Sequence, residues 1–283
     1  MSSFKDQFVR VGNINTRYWQ AGASGSAVIL LHGIGCSVLE WQSNLAALAA
    51  HHRVFAIDLL GFGLSDKPQD ETYGMRRLAQ FTLDFLATQG VARAHFAGNS
   101  MGGRIALECA LIAPERVASM LLAAPAGIGR ETLINFKLAS VRGLGELLTR
   151  PNRFGLKMLW KLAFRDRSFV TKEFVEARYQ LACLPGAQAA FLKTLRSFLA
   201  FGGFPREQVA ALQAALPAIR TPALVIWGRQ DKLLPVAHAD ILKRLLPEVQ
   251  VQVFDPCGHL PQIECATRFN EQALRFWAGL DRA

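Results

Sequence analysis

The chain of 283 residues is short of charge, of cysteine, of acid and of long apolar runs. Charged residues make up only 19% and hydrophobic residues 51%, which excludes a disordered chain and allows a sizeable buried core. No apolar run approaches the ~18 residues of a membrane-spanning helix, so no transmembrane segment is expected. The opening stretch MSSFKDQFVRVGN lacks a basic region followed by an apolar block. That pattern would mark a secretory signal, so a soluble, cytoplasmic protein is expected. The five cysteines are Cys36, Cys109, Cys183, Cys257 and Cys265. Their number is odd and no CxxC pair occurs, which removes a disulfide framework and the usual zinc motifs. Reduced thiols and no metal are expected.

Acid is outnumbered, with 22 Asp and Glu against 32 Lys and Arg, a net charge of +10. The excess is concentrated, because residues 126–205 hold 13 basic and 5 acidic residues. Basic charge can signal nucleic acid or anionic lipid. Here the cations are scattered among Leu, Phe and Trp at helical spacing, as in RPNRFGLKMLWKLAFRDR, and no nucleic-acid motif accompanies them. They read as the solvated face of amphipathic helices, and no nucleic-acid partner is expected.

What is present is alternation. FVRVGNINTRYWQAG alternates apolar and polar residues about a turn and reads as a β-hairpin. Buried strands are expected at 27–33, 54–58, 94–98 and 117–124, with helices at 38–50, 75–89 and 101–112 between them. Strand alternating with helix predicts a parallel sheet. The alternation stops over 126–216, where only helix-like segments occur. It resumes with a strand at 224–228, a helix near 236–246, a strand at 251–255 and a helix near 267–279. The expected organisation is an α/β core of residues 1–125 and 217–283, interrupted by a helical lid at 126–216.

One stretch, HFAGNSMGGRIAL, places Ser100 between Gly98 and Gly102, after a strand and before a helix. This G-x-S-x-G pattern fits a tight turn that lifts a nucleophilic hydroxyl above the sheet, beside a helix N-terminus that can hold negative charge. A Ser hydroxyl needs a base. Of the six histidines, His259 lies on a late loop in DPCGHLPQIE. His51 and His52 read as solvated residues at a helix end, His238 falls in a helix, and His95 starts a strand. A neutral His needs an acceptor to fix its tautomer. Asp231 follows the strand at 224–228, whereas Asp255 and Asp58 read as structural. An oxyanion would be held by two backbone N–H groups, those of Met101 and of Ile34 in HGIGCS.

HGIG, DLLGFGLSDKP, GNSMGG, GRQDKLLP and GHLPQIE stand in the order found in the α/β-hydrolase superfamily, which the chain resembles over nearly its whole length. The resemblance implies an α/β fold with a mostly parallel eight-stranded sheet, helices on both faces and an inserted helical cap. It implies a cofactor-free hydrolase using Ser100, His259 and Asp231, acting on a small molecule. Ser100 stands where haloalkane dehalogenases and epoxide hydrolases carry Asp. Two groups fit best. Carboxylesterases and lipases would cleave esters of small to medium apolar groups through an acyl-enzyme, and this is the first expectation. The alternative is the meta-cleavage product hydrolases, which cut a carbon–carbon bond in 2-hydroxy-6-oxo-dienoates. GNSMGG, including Asn99, and EARYQLA, including Arg178, are similar to that group and imply a substrate-binding role for Asn99 and Arg178. Leu260 departs from the Trp typical there after the His, and HGIGCS departs from the usual loop. A ligand-binding module of the same fold with little turnover is a third reading.

Overall fold

A computed structural model describes residues 4–247 and 249–281. Eight strands form one sheet in the order β1-β2-β4-β3-β5-β6-β7-β8. The hairpin β1 (Gln7–Val11) and β2 (Ile14–Ala21) pairs antiparallel, and β2 runs antiparallel to β4 (Arg53–Ile57). All other neighbours are parallel: β3 (Ala27–Leu31), β5 (Ala94–Asn99), β6 (Val117–Ala123), β7 (Ala223–Gly228) and β8 (Gln250–Phe254). The central strands read as continuous apolar runs because helices cover both sheet faces. Ile29 and Phe96 join one core with Phe55 and Leu78, while Val28, Leu30 and Ala97 join another with Trp41, Phe269 and Trp277.

On the core stand α1 (Leu45–Ala49), α2 (Met75–Thr88) and α3 (Met101–Ile112). Six helices then separate β6 from β7: α4 (Ile134–Ser140), α5 (Leu144–Leu148), α6 (Arg153–Ala163), α7 (Lys172–Ala182), α8 (Ala187–Phe198) and α9 (Arg206–Ala215). The last three are α10 (His238–Leu245), α11 (Pro261–Glu264) and α12 (Ala266–Leu280). All five cysteines are free. No helix among the described residues is long and apolar enough to cross a membrane.

Two details differ from the sequence reading. The helix expected at 38–50 is a short 3₁₀ turn, Val38–Trp41, followed by α1. Ser37 and Glu40 cap the turn reciprocally, and the Asn44 side chain is drawn to the Gln262 carbonyl and Asn270, which separates the two pieces. His52, expected to be solvated, is buried. It bonds Ser26 and packs edge-on against Trp277 of α12, a helix that the local sequence around His52 gives no sign of.

Candidate active site

The parallel strands end together on one side of the sheet, and the loops beyond β3, β5, β7 and β8 meet there. Ser100 occupies the turn between β5 and α3 with φ 56° and ψ −116°. For a non-glycine residue this is a strained backbone, of order 1–3 kcal/mol, held by the surrounding packing. The Ser100 N–H donates to Ala123 O, and the Ser100 carbonyl accepts from Arg104 and Ala126. A Cβ at Gly98 would overlap the Gly102 backbone, and one at Gly102 would overlap the Leu31 carbonyl. Only glycine lets α3 start this close to β3 and β5.

His259 lies on the loop after β8, with Nδ1 2.7 Å from Asp231 Oδ2. The carboxylate of Asp231 is fully buried, and its Oδ1 accepts from the amides of Leu233 and Leu234. An acceptor on Nδ1 assigns the ring proton to that nitrogen and leaves Nε2 as the ring's acceptor. Asp255 is elsewhere, paired with Arg229 and Gln230 at the surface.

Ser100 and His259 line one cavity of about 460 Å³ together with Ile34, Met101, Asn99 and Arg178. Asp231 stands behind His259. Met101 opens α3, so its N–H belongs to the first turn, which has no partner within the helix. The Ile34 N–H donates to no acceptor among the described residues. Most of the remaining lining is apolar, including Trp160, Phe191, Leu195, Phe198 and Leu234.

The structure gives Asn99 and Arg178 partners that the sequence did not suggest. Both amide hydrogens of Asn99 are directed at carbonyls, His259 O at 3.0 Å and Ala123 O at 3.2 Å. Asn99 thus ties the His259 loop to the elbow. Arg178, on α7, donates from Nε to Glu40 at 2.9 Å and from Nη1 to Phe174 O. Its guanidinium lies 3.4 Å from the Phe174 ring centroid. Glu40 is wholly buried beside the Ile34 loop.

Two further residues that hold the site, Glu264 and His32, are not assigned by the sequence, and Asp58, which reads as structural there, has that role. Glu264 accepts from Gly258, Arg165 and Asp166, joining the His259 loop to the segment after α6. Asp58 accepts from Val38, Leu64 and Arg17. His32 takes the Leu59 N–H on Nε2 and bonds Gly33 O through Nδ1, next to Ile34. Burial lowers the pKa of His32, which fits a neutral ring accepting from an amide. Glu264 sits in GHLPQIE and Asp58 in DLLGFG, but their partners lie too far along the chain for spacing to reveal them.

A hydroxyl on a strained turn and an imidazole oriented by a buried carboxylate line one cavity, the arrangement of a hydrolase-type site. Residues 26–266 match the family described as the alpha/beta hydrolase fold, and the chain belongs to that family. Among named relatives, the dihydrolipoyllysine-residue acetyltransferase component of the acetoin cleaving system of Pseudomonas putida is 35% identical, over 95% of this chain and 68% of its own length. The 2-hydroxymuconate semialdehyde hydrolase of Pseudomonas sp. strain CF600 is 33% identical, over 95% of this chain and 93% of its own. A meta-cleavage product hydrolase from Pseudomonas fluorescens IP01 superposes with a TM-score of 0.82 at 28% identity, covering 96% of this chain and 97% of that one.

Proposed function

We propose that Ser100 is the nucleophile of a hydrolase that attacks a carbonyl carbon, with His259 as base, Asp231 orienting His259, and the amides of Ile34 and Met101 receiving the oxyanion. We further propose that the substrate carries a carboxylate and a ketone, as in a 2-hydroxy-6-oxo-dienoate, and that a carbon–carbon bond is cut. The observation that carries this reading is Arg178, a nearly buried cation lining the same cavity as Ser100. The likeness to ring-fission hydrolases over nearly the whole of both chains supports it and moves it ahead of the ester reading.

In this scheme the dienol first takes its keto form. Ser100 Oγ adds to the ketone carbon while its proton passes to His259 Nε2. The carbon–carbon bond then breaks, its electron pair stays with the carboxylate-bearing fragment, and His259 returns its proton to that carbon. Water deprotonated by His259 releases the acyl group from Ser100. No cofactor takes part.

A second reading, hydrolysis of neutral carboxylic esters, is favoured by two observations. Glu40 already balances the charge of Arg178, and Leu260 follows His259 where ring-fission hydrolases typically have Trp. A ring-fission dienoate assayed beside p-nitrophenyl butyrate separates the two. The first reading expects the dienoate to have the larger kcat/KM, and the reverse ranking overturns it. A fluorophosphonate that fails to label the protein overturns both and leaves a binding module.

A further inference from the structure

Nine large hydrophobic side chains are exposed among the described residues, and all but Phe8 lie between Ile134 and Phe201. They are densest over α5 and α6, where Leu144, Leu147, Leu148, Phe154 and Met158 face solvent, Phe154 with 76% of its surface exposed. In α6 the residues Trp160 and Ala163 turn inward. Phe154 and Met158, four apart, share the opposite face, with Lys157 and Lys161 beside them.

The unpaired charge of this face is of one sign. Its acid, Glu146, is neutralised by Arg196, and Arg153 is paired with Glu176. Among the described residues Arg142, Arg150 and Lys157 have no carboxylate partner. The cavity also opens here. Apart from Gly35, its exposed lining residues are Asn135, Leu148, Arg150, Asn152, Gly155 and Met158.

We propose that the α5–α6 face is a docking surface for an anionic lipid bilayer, seated with the cavity mouth against the membrane. Apolar side chains interleaved with cations on one side of a short helix suit the headgroup boundary, where the rings enter the acyl region and the cations meet lipid phosphate. A second copy fits poorly, because a symmetric contact would set Arg142, Arg150 and Lys157 against the same cations. The apolar side chains exposed beside these cations, Leu144, Leu147, Leu148, Phe154 and Met158, would be left unmatched by a nucleic acid. This inference concerns where the protein sits and does not depend on which bond it breaks.

The test is co-sedimentation of the full chain with phosphatidylcholine vesicles, with and without about 30 mol % phosphatidylglycerol. Binding is expected to the anionic vesicles alone and is expected to fall in about 0.5 M salt. Leu147→Ser with Phe154→Ser should weaken it by at least about tenfold. Lys157→Glu, a single change at an exposed residue, should weaken it too. None of these three residues lines the cavity. Thermal melting and turnover of p-nitrophenyl acetate in solution should therefore match the unsubstituted protein. The proposal is overturned by any of three results: no binding to either vesicle, equal binding to both, or binding untouched by these substitutions. A concentration-dependent dimer that Phe154→Ser abolishes, without vesicle binding, assigns the face to self-association and also overturns it.

Discussion

Replacing either partner of the Arg178–Glu40 pair should cost far more than replacing both. The side chains are 9% and 0% exposed and meet at 2.9 Å. Breaking a buried pair by removing one member leaves an uncompensated charge and costs about 3–5 kcal/mol. Arg178→Met keeps an unbranched stem but removes the guanidinium that lies over the Phe174 and Trp160 rings, and it strands Glu40. Glu40→Gln strands the guanidinium and weakens the acceptor at Ser37 N. At ~2–4 °C per kcal/mol for a chain of this size, each single variant should melt roughly 6–20 °C lower. The double variant should recover most of that loss, and differential scanning calorimetry reads the difference. The stabilised double variant then isolates the ligand role of the cation. Dienoate kcat/KM should fall by ~100-fold or more, about 2.7 kcal/mol of barrier, while p-nitrophenyl butyrate changes by less than ~10-fold. Single variants melting within about 2 °C of the unsubstituted protein would refute the energetic argument. Equal losses on the two substrates would refute the carboxylate-binding role.

Two further outcomes follow from the site. Asp231→Asn should lower kcat by about 10³–10⁴-fold through the wrong His259 tautomer, whereas Asp255→Asn should leave it nearly unchanged, and steady-state kinetics that reverse the two would identify a different acid. Burial lowers the pKa of His32, His52 and His95, so the unfolded chain takes up these protons first as pH drops. Their contribution to stability is complete above about pH 6.5 and is lost as pH falls through the folded-state values, so melting temperature should drop as pH falls below about 6.5. A melting temperature unchanged from pH 8 to 5 would contradict the burial argument.

Short-range punctuation made much of the fold and the core of the site legible. Gly98 and Gly102 flank Ser100 within five residues, and His259 and Asp231 each follow an apolar strand, so each lies at a readable strand end. The supporting contacts were not legible because they join distant parts of the chain. Glu40 meets Arg178 across 138 residues, and Glu264 meets Arg165 across 99. The amide of Asn99 reaches His259 O across 160. A family pattern can mark such a residue but not its partner, so Asn99 reads as a substrate contact until its two donors are seen directed at carbonyls. His52 was misread because α12, which covers it, is more than two hundred residues away. Helical periodicity in α6 reveals an apolar face, but only the fold shows that Phe154 is left exposed among the described residues.

The most direct test of the central claim is labelling with a fluorophosphonate followed by peptide mass mapping. The account predicts one adduct, on Ser100, absent from Ser100→Ala and formed more slowly by at least about 10³-fold in His259→Ala. An adduct on another residue, or labelling of Ser100 at an unchanged rate without His259, would contradict it.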